Sequence, residues 1–463
     1  MRDFSELQKK IKPLLMPHQP LCVVLGGLPG SGKTTVRNEF TKRGFLCVCK
    51  DDIRLFMARR KYGENLSEHE LEDRLESFGK QVAMAHTRIT QIYMDYILNQ
   101  RKPFGKYVGG IDSDLVISCV KKHYNECNNK YQGIVFDATH FTTKQRTAIL
   151  RLINNRMRTV CLYLASDIDT AYSGVQKRVA TVVDGHAGRN VPKDVIIGMA
   201  KGMSLPSVNE GFDEVIVHNV EDKMNVDYPH RNELSLENCK QFKAYTQCDC
   251  DFDQHNKHHG NKLFVHLTQA FKYAFNNNYS YEVQLAALYH DVGKIPTQCF
   301  CGKLNEAFED LRLGTKVVLG KENNGTIVCN RPFDYKKYTI PVELLDQDGN
   351  GHFYGHDNVS AIKSFVELDS MGVNRQVVDN VYLLVRHHMM LPFNHVWSRN
   401  DINTLSQQFT YEQLMDLCRL RICDEYATID ANVTNSPTWN EYDFKESIKY
   451  VYDTMENIAD FFS

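Results

Sequence analysis

The stretch Gly27-Leu28-Pro29-Gly30-Ser31-Gly32-Lys33-Thr34 fits the pattern G-x-x-x-x-G-K-[ST] without a gap. Glycines let a backbone wrap an anion with its N–H groups, and a following helix N-terminus adds partial positive charge. At this spacing Lys33 reaches the β- and γ-phosphates of a triphosphate such as ATP, and Thr34 holds Mg²⁺. Gly27, Gly30, Ser31, Gly32, Lys33, Thr34 and the adjoining Thr35 are the candidate nucleotide-binding set. A second chemical signal lies downstream, where ten of the 18 histidines fall between 255 and 395. A lone histidine on a helix is usually a satisfied core residue. Several on separate helices, beside an adjacent His290-Asp291, are harder to explain that way. Imidazoles with carboxylates suit borderline divalent metals, and open coordination positions polarise a phosphate and acidify a water.

The elements around the first motif fit a parallel sheet. Leu21-Cys22-Val23-Val24-Leu25 reads as a buried strand, and Thr34 to Lys42 follows as a helix. A second strand over 45–49 leads into Lys50-Asp51-Asp52-Ile53-Arg54. Ligands collect at the carboxyl ends of such strands, so Asp51 is placed to accept a hydroxyl proton and Arg54 to clamp a phosphate. Alternatively, Asp51 or Asp52 only caps the next helix. Residues 55–130 read as helical and polar, with Ser67 and Glu70 a possible capping box. Strands over 133–136, 159–164 and 214–218 complete the sheet, the first ending in Asp137-Ala138-Thr139-His140. A basic helix with Lys177-Arg178, a Gly-rich loop ending in Arg189, and a further helix read as a mobile lid whose arginines close over a triphosphate.

Phosphate loop, Asp-Asp-x-Arg after the second strand, Asp-Ala-Thr-x after the third, basic lid and Val191-Pro192-x-Asp194-Val195 together resemble the phage-type 5′-OH polynucleotide kinases over roughly 20–218. The resemblance implies ATP and Mg²⁺ on Lys33 and Thr34, and Asp51 as general base on a 5′-hydroxyl. It also implies Arg54 on the adjacent substrate phosphate, and Arg178 or Arg189 as the lid arginine. His140 stands where that family has Asn. Over about 252–430, His290-Asp291-Val292-Gly293-Lys294 and the spaced histidines resemble the HD-superfamily metal-dependent phosphohydrolases. Asp253-Gln254-x-Asn256 and Gly355-His356-Asp357 further resemble the version in tRNA nucleotidyltransferases. By that likeness His266, His290, Asp291 and Asp424 are primary metal ligands, with His258 or His259 as alternatives to His266. His356 and His387 or His388 serve a second metal or the scissile phosphate, and Lys294 stabilises departing charge. Mn, Ni, Co, Zn and Fe all suit such ligands.

The expected architecture is an α/β domain over 1–220, a connector over 221–250, and a mostly α-helical domain over 251–463. Within the last, a β-hairpin is expected from 317–319 and 326–328 around Asn323-Asn324-Gly325. The 463 residues carry a net charge of −2, unevenly spread. Residues 1–220 hold 32 Lys and Arg against 23 Asp and Glu, while 221–463 hold 23 against 34. A basic half suits a polyanion, and an acidic, His-rich half suits cations. The 14 cysteines are scattered, and Cys248/Cys250 and Cys299/Cys301 lack common zinc spacing, so a reduced cytoplasmic protein is expected. No apolar run approaches the roughly 20 residues of a membrane span. Together these features point to nucleic-acid end repair, with RNA or DNA ends as substrate and a nucleic-acid ligase as functional partner. The competing readings are a mononucleotide kinase fused to an HD nucleotidase, and a nucleotide-gated regulator.

Overall fold

The structure, a computed structural model, describes residues 5–63, 79–99, 132–181, 190–224, 234–235, 237–246, 252, 254, 262–298, 303–304, 308–310, 315–317, 321–323, 326–328, 352–391, 395–428 and 441–463. The chain divides into two compact units, Met1–Asp222 and Lys223–Ser463.

The first unit is a five-stranded parallel sheet flanked by helices. Its strands are β1 (Leu21–Gly27), β2 (Phe45–Cys49), β3 (Gly133–Asp137), β4 (Arg158–Ala165) and β5 (Glu214–Asn219), in spatial order β2-β3-β1-β4-β5. Strand β1 is central, pairing Leu21 with Gly133 on one side and Arg158 on the other. Side chains alternate along it because a strand has a period of two. Leu21, Val23 and Leu25 pack on one face with Val36 and Phe40 of α2 (Lys33–Thr41) and with Leu7 and Ile11 of α1 (Ser5–Ile11). Cys22 and Val24 pack on the other face with Ile53 of α3 (Lys50–Tyr62), Val82 and Ile89 of α4 (Gly79–Asn99), and Ile149 of α5 (Thr143–Ile153). Burial on both faces explains why these strands are continuous apolar runs. Helices α6 (Ile168–Ala180) and α7 (Lys193–Ala200) follow β4.

The second unit is mostly helical. It contains α8 (Leu263–Asn276), α9 (Tyr281–Tyr289), α10 (His356–Ser370), α11 (Arg375–His387), α12 (Arg399–Leu405), α13 (Tyr411–Thr428) and α14 (Glu441–Phe462). Every residue of α9 except Glu282 is buried, so it is an interior helix with no solvent stripe. It packs against α8, α10, α11 and α13, and α14 covers α13. The described part of 223–250 is packed into this unit. Phe242 lies edge-on to Tyr289, Tyr245 stacks on Phe264, and Cys239 is fully buried. The sequence signal for a connector was polarity without a period, which a few deeply inserted aromatics do not disturb.

The insert differs from its expected pairing. Thr326–Val328 pairs antiparallel with Lys321–Asn323, while Thr315–Val317 pairs with Phe308–Asp310. The polar Lys321–Asn323 takes the place expected for 317–319; Val317 pairs with Phe308, and 318–319 lie outside the described residues. The expected capping box at Ser67 and Glu70, both Cys-x-Cys pairs, Arg189, His258 and His259 lie outside the described residues.

Candidate phosphate-binding and metal sites

In the first unit, Gly27, Gly30 and Gly32 all have positive φ, the conformation that turns a chain tightly enough to aim successive N–H groups inward. Gly32 caps α2, whose first residue is Lys33. The Lys33 ammonium donates to the carbonyls of Gly27 at 2.9 Å and Leu28 at 2.8 Å. Burial is the main influence on Lys33 and lowers its pKa to about 8; Asp137 and Asp51 oppose the shift, and Arg178 reinforces it. Asp51, Asp137 and Arg178 are therefore all within electrostatic reach of this ammonium. Thr34 and Thr35 are exposed on the first turn of α2. Ser31 is fully buried behind them.

Asp51 is an exposed carboxylate at the end of β2, held by Arg54 through an ion pair of 2.7 Å. The two expected acceptor-side residues are thus neighbours on the first turn of α3.

The Asp137-to-His140 stretch at the end of β3, with Arg37 and Arg146, completes this site. Asp137, paired in register with Leu25, is a buried carboxylate at the end of β3. Burial raises its pKa, and Arg37 and Lys33 oppose the shift. Arg37 on α2 bridges Asp137 at 3.2 Å and Asp52 at 3.4 Å. The loop after β3 is stitched to β1 by two bonds. The amide of Gly27 donates to Thr139 O at 2.8 Å, and His140 Nδ1 lies 2.7 Å from Leu25 O. Burial lowers the His140 pKa to about 4, so the ring is neutral and Nδ1 carries the donated proton. Arg146, fully buried, donates to His140 O, Ser204 O and Glu210, tying that loop to the segment after α7.

Arg178 owes its position to a contact between backbones. A Cβ on Gly174 would lie 2.2 Å from Gly30 O, and one on Gly30 would lie 2.1 Å from Ala171 O. Helix α6 therefore rests directly on the phosphate loop, with Arg178 one turn further along. Spacing between the two glycines in sequence gave no hint of that contact.

In the second unit, His266 (α8), His290 and Asp291 (end of α9) and Asp424 (α13) form one group able to hold a metal ion, and Asp291, His356 (α10) and His388 form another. Asp291 belongs to both. Its Oδ2 faces His266 at 3.4 Å and His290 at 3.6 Å, and its Oδ1 faces His356 at 3.1 Å and His388 at 3.6 Å. The close approach of α10 requires Gly293, where a Cβ would meet His356 O at 2.3 Å. Its amide is in turn bonded to Ser360 Oγ at 2.8 Å.

The imidazoles are preset. His290, His356 and His388 each direct Nδ1 at a backbone carbonyl three residues earlier, at 3.0, 2.8 and 2.7 Å. A proton donated there leaves Nε2 as a lone pair aimed into the cluster. Yet His356 Nε2 lies 3.2 Å from His388 Nε2, and His266 Nε2 lies 3.1 Å from His290 Nε2. In the first pair both nitrogens are lone pairs, which repel unless a proton or a cation lies between them; in the second, a protonated His266 can donate to His290. With a bridging carboxylate added, the donor set fits divalent metals that accept nitrogen and oxygen ligands.

The carboxylates set the charge state of this cluster. Burial works against the charged form of His266, but Asp291 and Asp424 outweigh it and raise the pKa to about 9. Burial likewise opposes ionisation of Asp291 and Asp424, yet Lys294 and the imidazoles hold Asp291, and the imidazoles with Arg421 hold Asp424, well below the usual carboxylate range. Lys294 is buried, 2.6 Å from Asp291 Oδ2 and 2.9 Å from Gln254 Oε1.

His387 lies outside both groups. Its ring packs edge-on against Phe409, and burial followed by Arg386 lowers its pKa to about 4. Helix α11 ends at His387 and the chain tightens into a 3₁₀ turn, which swings His388 inward in its place.

Residues 22–206 match the family model described as an AAA domain. The first unit carries a P-loop kinase-like domain. Such a domain implies ATP and Mg²⁺. A solved chain from the PezAT chromosomal toxin–antitoxin system of Streptococcus pneumoniae is 14% identical. It covers 46% of this chain and 78% of its own, with a TM-score of 0.22. No curated protein matches the chain. Among the described residues, no helix is long and apolar enough to cross a membrane.

Proposed function

We propose that the protein heals nucleic-acid ends, most specifically those of RNA. In this reading the P-loop domain phosphorylates a 5′-hydroxyl, and the second unit is an HD-type phosphohydrolase that removes a 2′,3′-cyclic phosphate or 3′-phosphate. A ligase would then join the ends. The observation that carries the reading is the pair of facing imidazole couples sharing Asp291, on a chain that also has Asp51 and Arg54 near a phosphate loop.

In the kinase step the 5′-oxygen attacks the γ-phosphorus, its proton passes to an Asp51 oxygen, and ADP leaves. Lys33 and Arg178 balance the charge that gathers on the transferring oxygens. Arg54, already on Asp51, orients that carboxylate and offers its remaining donors to the substrate phosphate. In the second unit, bound cations would supply Lewis acidity toward a phosphate and a more acidic water. His266, His290, Asp291 and Asp424 would hold one, and Asp291, His356 and His388 the other. Lys294 fixes Asp291 in the orientation that serves both.

The test is label transfer from γ-labelled ATP to a 5′-OH RNA oligonucleotide, with free nucleosides as competitors. Transfer to the oligonucleotide that nucleosides do not suppress is expected. Transfer to nucleosides or mononucleotides alone would replace this reading with that of a nucleotide-metabolism enzyme.

A further inference from the structure

Asp424 divides its two oxygens between different partners. Oδ1 faces the imidazoles, 3.2 Å from His266 Nε2 and 3.5 Å from His290 Nε2. Oδ2 accepts a hydrogen bond from Arg421 Nη1 at 3.3 Å. Arg421 also donates through Nη2 to Glu425 Oε1, and that same oxygen accepts from Ser447 Oγ at 3.1 Å. The side chains of Arg421 and Glu425 are 2% and 3% exposed. Arg421, Asp424 and Glu425 stand at i, i+3 and i+4 on α13 and so share a face, while Ser447 comes from α14.

Burying such a charged set costs free energy that apolar packing between α13 and α14 would not. Its geometry indicates what it does instead. A terminal carboxylate torsion is broad and roughly two-fold, so an unrestrained aspartate offers either oxygen in several orientations. Arg421 removes that freedom by engaging one oxygen. We infer that Arg421, backed by Glu425 and Ser447, is a positioning residue that presents Asp424 Oδ1 to a cation, which makes the C-terminal helix part of the metal centre. The inference rests on the metal-centre reading above. Arg421 touches neither cation nor substrate; it acts through Asp424. The group Asp291, His356 and His388 does not contain Asp424, so the molecule carries its own control.

The experiment is titration of the metal-free full chain with Mn²⁺ by calorimetry, together with thermal melting. Wild type is expected to show binding at both groups, and Asp424→Asn identifies the event that needs Asp424. The double variant Arg421→Gln/Glu425→Gln keeps the buried pair neutral. It is expected to weaken that same event about 10- to 100-fold, as losses behind a ligand commonly do, and to spare the other. Arg421→Lys should fall between the double variant and wild type. Unchanged affinity in both variants overturns the inference, and so does equal weakening of both events with a lowered melting temperature. Should the charged variants not fold, Ser447→Ala decides. A smaller weakening of the Asp424-dependent event supports the inference, and none overturns it. Absence of Mn²⁺ binding in wild type sinks the metal-centre reading itself, a separate and recognisable outcome.

Discussion

Gly174→Ala tests how α6 is tied to the phosphate loop. The added methyl would lie 2.2 Å from Gly30 O, where ordinary contact begins at 3.4 Å, so α6 and the loop must part by about 1 Å. Taken alone, replacing a mid-helix Gly by Ala gains about 1 kcal/mol. Overpacking against a backbone carbonyl costs about 1–3 kcal/mol and reverses that sign. The displacement also carries Arg178, one turn along α6, away from the neighbourhood of Lys33. A misplacement of this size at a reacting centre costs on the order of 10²-fold in rate. Urea denaturation should therefore show a less stable first unit, and γ-phosphate transfer should slow about a hundredfold. Mn²⁺ binding in the second unit should stay unchanged. A variant that is more stable than wild type, or that transfers phosphate at the wild-type rate, refutes the reasoning, because it would mean that the loop and the helix do not touch as described.

Other perturbations have equally definite outcomes. Asp291→Asn removes the carboxylate shared by both metal groups, so metal analysis should show loss of both cations, whereas Asp424→Asn should lose one. The Lys33 ammonium is half deprotonated near pH 8, and bound phosphates favour its charged form. ATP affinity should accordingly fall as pH rises past 8, and binding near pH 9 should take up a proton, read by calorimetry in buffers of different ionisation enthalpy. Arg146→Met strips a buried guanidinium from Glu210, whose side chain is 8% exposed, and should cost about 3–5 kcal/mol in urea denaturation.

The phosphate loop was legible in the sequence because its chemistry is local: glycines, Lys33 and Thr34 act at fixed separation on one turn. The strands were legible as apolar runs, but their order was not, since nothing within Leu21–Leu25 says that β3 and β4 are its neighbours. Asp137 shows the same limit. Its place at a strand end was readable, but its position beside Lys33 arises only once β3 lies against β1. The contact of Gly30 with Gly174 is likewise tertiary. In the second unit, the adjacent His290-Asp291 was visible, yet the choice between His387 and His388 turned on where α11 ends, and helix ends are set by packing. The i, i+3, i+4 spacing of Arg421, Asp424 and Glu425 was open to reading. The same spacing suits an ordinary solvated helical ion pair, and burial, which gives it meaning here, is not written in spacing.

On the proposed function, one chain treats the two termini of a broken strand at two separate sites. The most direct measurement follows a single RNA bearing a 5′-hydroxyl and a 2′,3′-cyclic phosphate, incubated with ATP, Mg²⁺ and Mn²⁺ and resolved end by end. Wild type is expected to convert both ends, Asp51→Ala to leave only the 5′-hydroxyl untouched, and His290→Ala to leave only the cyclic phosphate untouched. An RNA recovered with both ends unchanged, while the same protein phosphorylates or hydrolyses free nucleotides, would contradict it.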